Sequence, residues 1–125
     1  MAFYLKKKKT KSTPYVLIDE ANNFIEFEGD SFPENAIEFF GDIKLWLDEY
    51  LESDYGTFVF ECKLNYFNSS TAKVLFDMMV LMDEYSVNGN QTTVNWHIAK
   101  DNRMMTELYE DFQEDFENLK MNLLH

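Results

Sequence analysis

The stretch T-F-V-F-E-C-K-L-N-Y-F-N-S-S-T-A-K, Thr57 to Lys73, decides the fold of this chain. Its first part alternates: Phe58, Phe60, Cys62, Leu64 and Tyr66 point one way, and Glu61, Lys63 and Asn65 the other. That is the period-two pattern of a strand with one buried face. After Phe67 the period changes. From Ser70 to Tyr85 apolar residues recur at helical spacing, so a strand hands over to a helix, the first half of a crossover to a parallel neighbour.

The same alternation returns at Thr92 to Ile98, with Val94, Trp96 and Ile98 on one face and Thr93, Asn95 and His97 on the other. Upstream, Tyr15-Val16-Leu17-Ile18 and Phe24-Ile25-Glu26-Phe27 flank the turn-rich Asp19 to Asn23 and read as a β-hairpin. A first helix is expected from Glu34 to Glu52, with Ile37, Phe40, Ile43, Leu47 and Leu51 on its apolar stripe and Phe39, Trp46 and Tyr50 widening it. A third is expected over 102–118. It sets Met105, Leu108, Tyr109, Phe112 and Phe116 against an acidic face of Glu107, Glu110, Asp111, Glu114, Asp115 and Glu117, which reads as solvated. The expected fold is α/β in the order β-β-α-β-α-β-α. Its four-stranded mixed sheet alternates too cleanly to be covered on both sides, so the helices lie mainly on one face.

The second helix is the most apolar. Val74, Leu75, Phe76, Met78, Met79, Val80, Leu81, Met82 and Tyr85 leave only a narrow strip of Lys73, Asp77 and Glu84, more apolar surface than one sheet can cover. Either its neighbour helices absorb the excess, or it forms a partner surface to which flexible methionines such as Met78 are suited.

The chain has 125 residues, 46% of them hydrophobic, with four Gly and two Pro, which is one compact domain rather than a disordered chain. Its net charge is −12. Lys6, Lys7, Lys8, Lys9 and Lys11 contribute +5 of that, so the rest carries −17 and repels phosphate backbones; nucleic-acid binding is disfavoured. Residues 1–11 are expected as a solvated lysine-rich tail and 12–125 as the single domain. No run is apolar and long enough to insert in a membrane, and no apolar signal core follows the N-terminal charges, so a cytoplasmic location is expected. Cys62, the one cysteine, reads as a small buried hydrophobe.

No G-x-S-x-G, H-E-x-x-H or phosphate-cradling glycine loop is present, and His97 lacks a second candidate ligand, so no enzyme, metal or cofactor role is expected. Chemistry is sought instead where strands feed helices, at Asn68-Ser69-Ser70-Thr71. Ser69 or Ser70 can cap the helix, which is worth about 1 kcal/mol. Alternatively, one hydroxyl of Ser69, Ser70 or Thr71 accepts a phosphoryl group, whose charge of about −1.5 to −2 a helix start tolerates while an adjoining partner does not. A second loop, Gly29 to Asn35, carries the S-x-x-E spacing of a capping box in Ser31 and Glu34, with Pro33 suited to the first turn.

S-T-P at Ser12 to Pro14, G-D-S-F-P-E-N at Gly29 to Asn35, L-N-Y-F-N-S-S at Leu64 to Ser70 and V-N-W-H at Val94 to His97, in this order, resemble the SiaC family of bacterial regulatory phosphoproteins. The element order is similar to the STAS domains of anti-sigma-factor antagonists. The resemblance implies a non-enzymatic switch, phosphorylated by a serine/threonine kinase and restored by a PP2C-type phosphatase. Unmodified, it binds and activates a diguanylate cyclase and so governs cyclic-di-GMP output and biofilm behaviour. A constitutive anti-sigma-antagonist-like binding module without a cyclase partner is the alternative. The family acceptor is a threonine directly after the Asn, a position held here by Ser69. Asn68, Ser70, Asp30, Phe32, Glu34, Asn35 and Met78 are the expected partner contacts.

Overall fold

In a computed structural model that describes residues 2–87 and 89–125, six strands form one sheet in the spatial order β1 to β6, the order of the chain. The strands are β1 (Tyr4–Lys7), β2 (Tyr15–Asp19), β3 (Phe24–Ser31), β4 (Thr57–Phe67), β5 (Gln91–His97) and β6 (Lys120–Leu124). The first three pair antiparallel and the last four run parallel, β3 belonging to both sets. Each parallel step is bridged by one helix: α1 (Ala36–Leu51), α2 (Ser69–Tyr85) and α3 (Arg103–Asp115).

The four expected strands are β2 to β5, and the sheet gains one more at each edge. Tyr4–Lys7, expected within a solvated tail, pairs with β2, with Leu5 on the core side opposite Ile18. Lys7 is tethered there: its Nζ donates to the Phe39 carbonyl at 3.1 Å, pairs with Asp42 at 3.2 Å and lies 4.6 Å from the Phe39 ring centroid. Met1 lies outside the described residues. At the other edge β6 turns Met121 and Leu123 inward beside Val94 and Trp96.

The helices cover one face. Beneath them, Val16, Ile18, Ile25, Phe27, Phe58, Phe60, Cys62, Leu64, Val94 and Trp96 are fully buried. Phe27 meets Phe40 of α1 at 5.5 Å, and Trp96 meets Tyr109 and Phe112 of α3 at 5.8 and 5.4 Å between ring centroids, geometries that add to the burial energy. The opposite face is polar at its centre. There Asn95 Nδ2 donates to Glu61 at 2.5 Å, His97 Nε2 lies 2.7 Å from Glu61 Oε1, and Asn122 Nδ2 donates to Asn95 at 2.9 Å.

One irregularity sets the position of everything downstream. Between Gly29↔Leu64 and Asp30↔Tyr66 the register slips, leaving Asn65 as an extra residue on β4. This bulge inverts the alternation, so that Phe67 is buried and Tyr66, expected to face the core, is 41% exposed. Gly29 stands opposite with φ +108°, a conformation that disfavours a side chain, and Lys9 packs against it. The bulged carbonyl is not orphaned, because Asn102 Nδ2 donates to Asn65 O at 2.9 Å.

The methionines of α2 are internal. Met78, Met79 and Met82 are fully buried, which removes Met78 from the expected partner contacts. The wide apolar arc is absorbed by neighbours: α2 packs along α1 on one side, and Phe76 meets Phe112 and Phe116 at 6.1 and 5.3 Å on the other. Conversely Ile37, expected on the core stripe of α1, is 78% exposed.

Candidate functional site at the start of the second helix

The bulge delivers Ser31 and Phe67 side by side at the carboxyl ends of β3 and β4, and the chain turns into α2 immediately afterwards. Asn68 N donates to the Ser31 carbonyl at 3.0 Å, which locks the turn to the sheet. Asn68, not a serine, is the N-cap: its side-chain oxygen accepts from Thr71 N at 3.0 Å. The capping expected of Ser69 or Ser70 is therefore supplied by the residue before them. The same substitution occurs at α1, where Asn35 Oδ1 accepts from Glu38 N at 3.1 Å and the expected Ser31–Glu34 box does not form. Asn102 caps α3 in the same way.

The three hydroxyls then separate by environment. Thr71 is fully buried, its Oγ1 2.9 Å from Ser31 Oγ and donating toward the Ser31 carbonyl at 3.3 Å, so it is closed to a kinase and is corrected as a candidate acceptor. Ser69 and Ser70, at the first two helical positions, are both exposed. Among the described residues no hydrogen bond holds either hydroxyl.

Around them stand most of the other expected contacts. Phe32 is 38% exposed and its ring lies 6.2 Å from that of Tyr66, forming an aromatic rim. Phe32 N donates to Ser12 O at 2.7 Å, so the S-T-P segment joins the same end of the sheet. Glu34 and Asn35 are exposed at the entry to α1, while Asp30 is half-buried in β3.

From this point a groove runs between α1 and α2. Its upper part, about 360 Å³, is lined by Glu34, Asn35, Ile37, Phe40, Lys44, Ser70, Lys73, Val74 and Asp77 among others. It continues past Gly41, Leu45 and Leu81, with Lys44 and Asp77 bridging the two helices at 3.4 Å. Ile37 and Leu45, 78% and 63% exposed, stand on its α1 side with Gly41 between them, where a Cβ would meet nothing within 4 Å. The sequence reading missed this surface because it sought the partner face on the methionines of α2. The signal lay in Ile37-Gly41-Leu45, spaced by four residues on the solvent side of α1.

His97, considered for acid–base chemistry, meets the Glu61 carboxylate on the polar face of the sheet, and no hydroxyl or thiol among the described residues joins the pair. Cys62 is fully buried and its thiol is pushed up to about 12 by burial, which leaves it protonated and inert. No group of three or more His, Cys, Asp or Glu placed to hold a metal ion occurs among the described residues. No helix of the described residues is long and apolar enough to cross a membrane.

The pattern described as SiaC family regulatory phosphoprotein matches residues 7–125. The chain belongs to the SiaC family. An uncharacterised protein of Pseudomonas aeruginosa strain UCBPP-PA14 is 32% identical over 106 residues, covering 85% of this chain and 84% of that protein. Among solved structures, apo-SiaC from Pseudomonas aeruginosa superposes with a TM-score of 0.88 at 29% identity, covering 98% of this chain and 99% of the other. A SiaC solved in complex with the diguanylate cyclase SiaD, of which it is the activator, gives 0.89 at 29% identity, covering 96% and 98%.

Proposed function

We propose that this chain is a phosphorylation-gated regulator that binds and activates a diguanylate cyclase when unmodified and releases it when Ser69 carries a phosphoryl group. The observation that carries the cyclase partner is the likeness, over nearly the whole chain, to a SiaC solved as the activator bound to its cyclase. Support for the gate comes from Ser69: it is exposed at the first position of α2, next to Ser70 on the lip of the α1/α2 groove. Ser70 is the alternative acceptor. Kinship with STAS domains, a cytoplasmic setting and a role without catalysis of its own belong to the same reading.

A serine/threonine kinase transfers the γ-phosphoryl group of a nucleoside triphosphate to Ser69 Oγ, the hydroxyl proton leaves, and the nucleoside diphosphate departs. A PP2C-type phosphatase reverses this with water, returning the hydroxyl and inorganic phosphate. The added dianion is compatible with the helix start, because the free N–H groups of the first turn carry partial positive charge. The apolar groove beside it gains a strongly hydrated rim instead. A partner covering Ile37, Phe32 and Leu45 must desolvate that rim, which weakens association by up to several kcal/mol.

Mass spectrometry of the chain isolated from its own cells is expected to place phosphate on Ser69. A chain carrying phosphoserine at 69, made by suppression, is expected to lose capture of the cyclase that the unmodified chain retains. Phosphate found on neither Ser69 nor Ser70 would overturn the acceptor assignment, and equal capture by Ser69→Asp, Ser69→Ala and the phosphorylated chain would instead mark a constitutive binding module of the anti-sigma-antagonist kind.

A further inference from the structure

We infer that Lys73 is the internal receptor for the phosphoryl group: once Ser69 is modified, its phosphate draws the Lys73 ammonium out of the α1/α2 groove, so the gate acts by removing a cation from the docking surface as well as by adding an anion to its rim. The inference rests on the reading of Ser69 as the gated residue.

Ser69 and Lys73 are four residues apart within α2, which places their side chains one above the other on the same helix face, with the anion-to-be on the N-terminal side, the stronger of the two orders. In the unmodified chain that order is empty. The residues one turn before Lys73 are Ser69 and Ser70, both uncharged. The carboxylate one turn after it, Asp77, is already engaged by Lys44 across the groove at 3.4 Å. Glu34 is the other carboxylate lining the upper groove, and no contact within 4 Å joins it to Lys73.

Lys73 is therefore an exposed ammonium on a docking surface, without an ion-pair partner among the described residues. In a body that carries −17 outside its lysine tract, Lys44 and Lys73 are the two cations lining this groove among the described residues. Lys44 is held by Asp77, which leaves Lys73 as the one able to answer a carboxylate or helix C-terminus of a partner. A phosphate with charge near −2 one helical turn away outcompetes any such contact, because it is covalently present at high effective concentration and offers three acceptor oxygens. The same lysine thus has two alternative occupations, and the modification selects between them.

The test uses the full chain with phosphoserine at 69, alone and with Lys73→Gln, Lys73→Arg or the control Lys11→Gln. Phosphorus NMR follows the second ionisation of the phosphate, ordinarily near pH 6. Pairing with Lys73 predicts that Lys73→Gln moves this midpoint upward by about half a pH unit, roughly threefold in proton affinity. Lys73→Arg is expected to restore the midpoint and Lys11→Gln to leave it in place. Cyclase binding supplies the second arm, in which Lys73→Gln is expected to narrow the affinity ratio between unmodified and phosphorylated chains by about two- to fivefold, the range of a partly exposed ion pair.

An unshifted midpoint in Lys73→Gln, or an unchanged affinity ratio in a chain that is otherwise gated, overturns the inference. Equal cyclase affinity of the unmodified and phosphorylated chains with Lys73 intact would overturn the gate itself, so the two failures are distinct. Lys73 is exposed, so all four chains are expected to melt within a few degrees of one another.

Discussion

Replacing Met78 by Ala and, separately, Ile37 by Asp distinguishes the core of this protein from its proposed docking surface. Met78 is fully buried between α2 and the sheet. Truncation removes Cγ, Sδ and Cε, about 2 kcal/mol of lost transfer energy at roughly 0.8 kcal/mol per methylene-sized group. A further cost follows the cavity left behind, at about 24 cal/mol per Å³ of unrelaxed volume, bringing the total into the ~2–5 kcal/mol range of buried Met→Ala changes. Urea unfolding read by tryptophan fluorescence should show a lower midpoint with an unchanged slope. In a domain of this size, thermal denaturation should fall by roughly 10 °C. Cyclase affinity per folded molecule should stay within twofold. Ile37→Asp is expected to do the reverse, leaving stability within about 0.5 kcal/mol because the side chain is 78% exposed, and weakening cyclase binding by at least about tenfold. A Met78→Ala chain that loses less than about 1 kcal/mol, or that loses cyclase affinity while fully folded, would refute the assignment of the methionines to the core.

Asn68→Ala removes the cap of α2 and should cost about 1 kcal/mol, with Asn35→Ala costing a similar amount at α1, both measurable by denaturant titration. Thr71→Val leaves the buried Ser31 hydroxyl with a lost partner, for about 1–3 kcal/mol; adding Ser31→Ala should recover part of it, giving a coupling that a double-mutant cycle detects. The Cys62 thiol ionises near 9 when unfolded but only at about 12 in the fold, because burial disfavours the thiolate. Its contribution is therefore whole below pH 9 and drains away between pH 9 and 12; chemical denaturation across that window should show the decline, and Cys62→Ala should make it shallower, the remainder coming from Tyr50, Tyr85 and Tyr109, whose phenols burial also pushes up. In the same experiment at neutral pH, a thiol reagent should label Cys62 only after unfolding.

Much of this architecture was legible because β4, β5 and the three helices carry long, strongly periodic runs, such as Phe58 to Leu64 and Phe40 to Leu51. The two edge strands were not. Tyr4–Lys7 offers one inward apolar residue, Leu5, among lysines, and Lys120–Leu124 places Leu123 and Leu124 together, so neither alternates long enough to stand out from a tail. Lysines on β1 suit an edge, where they discourage pairing with another chain, yet the same residues conceal the strand. At the candidate site the Asn68-Ser69-Ser70-Thr71 segment was found, but the roles within it were reassigned by the bulge at Asn65. A slip of one residue cannot be read from alternation that continues plausibly to Tyr66, and it is this slip that buries Thr71 against Ser31 while leaving Ser69 outside. Two caps were misplaced for a simpler reason: hydroxyls and asparagines are nearly equal as caps, and Asn35 lies four residues after Ser31 while Asn68 lies one residue before Ser69.

Because the strands lie across the sheet in the order in which they occur in the chain, no strand has to be inserted between two that are already joined. A polypeptide leaving the ribosome can lay down its antiparallel trio first and then add one helix-and-strand unit at a time to a growing margin, each new piece meeting a template already in place. The helix that begins at Ser69 is fully packed only once its neighbour on either side has arrived, so the end of the molecule proposed for regulation matures late, after the scaffold that presents it.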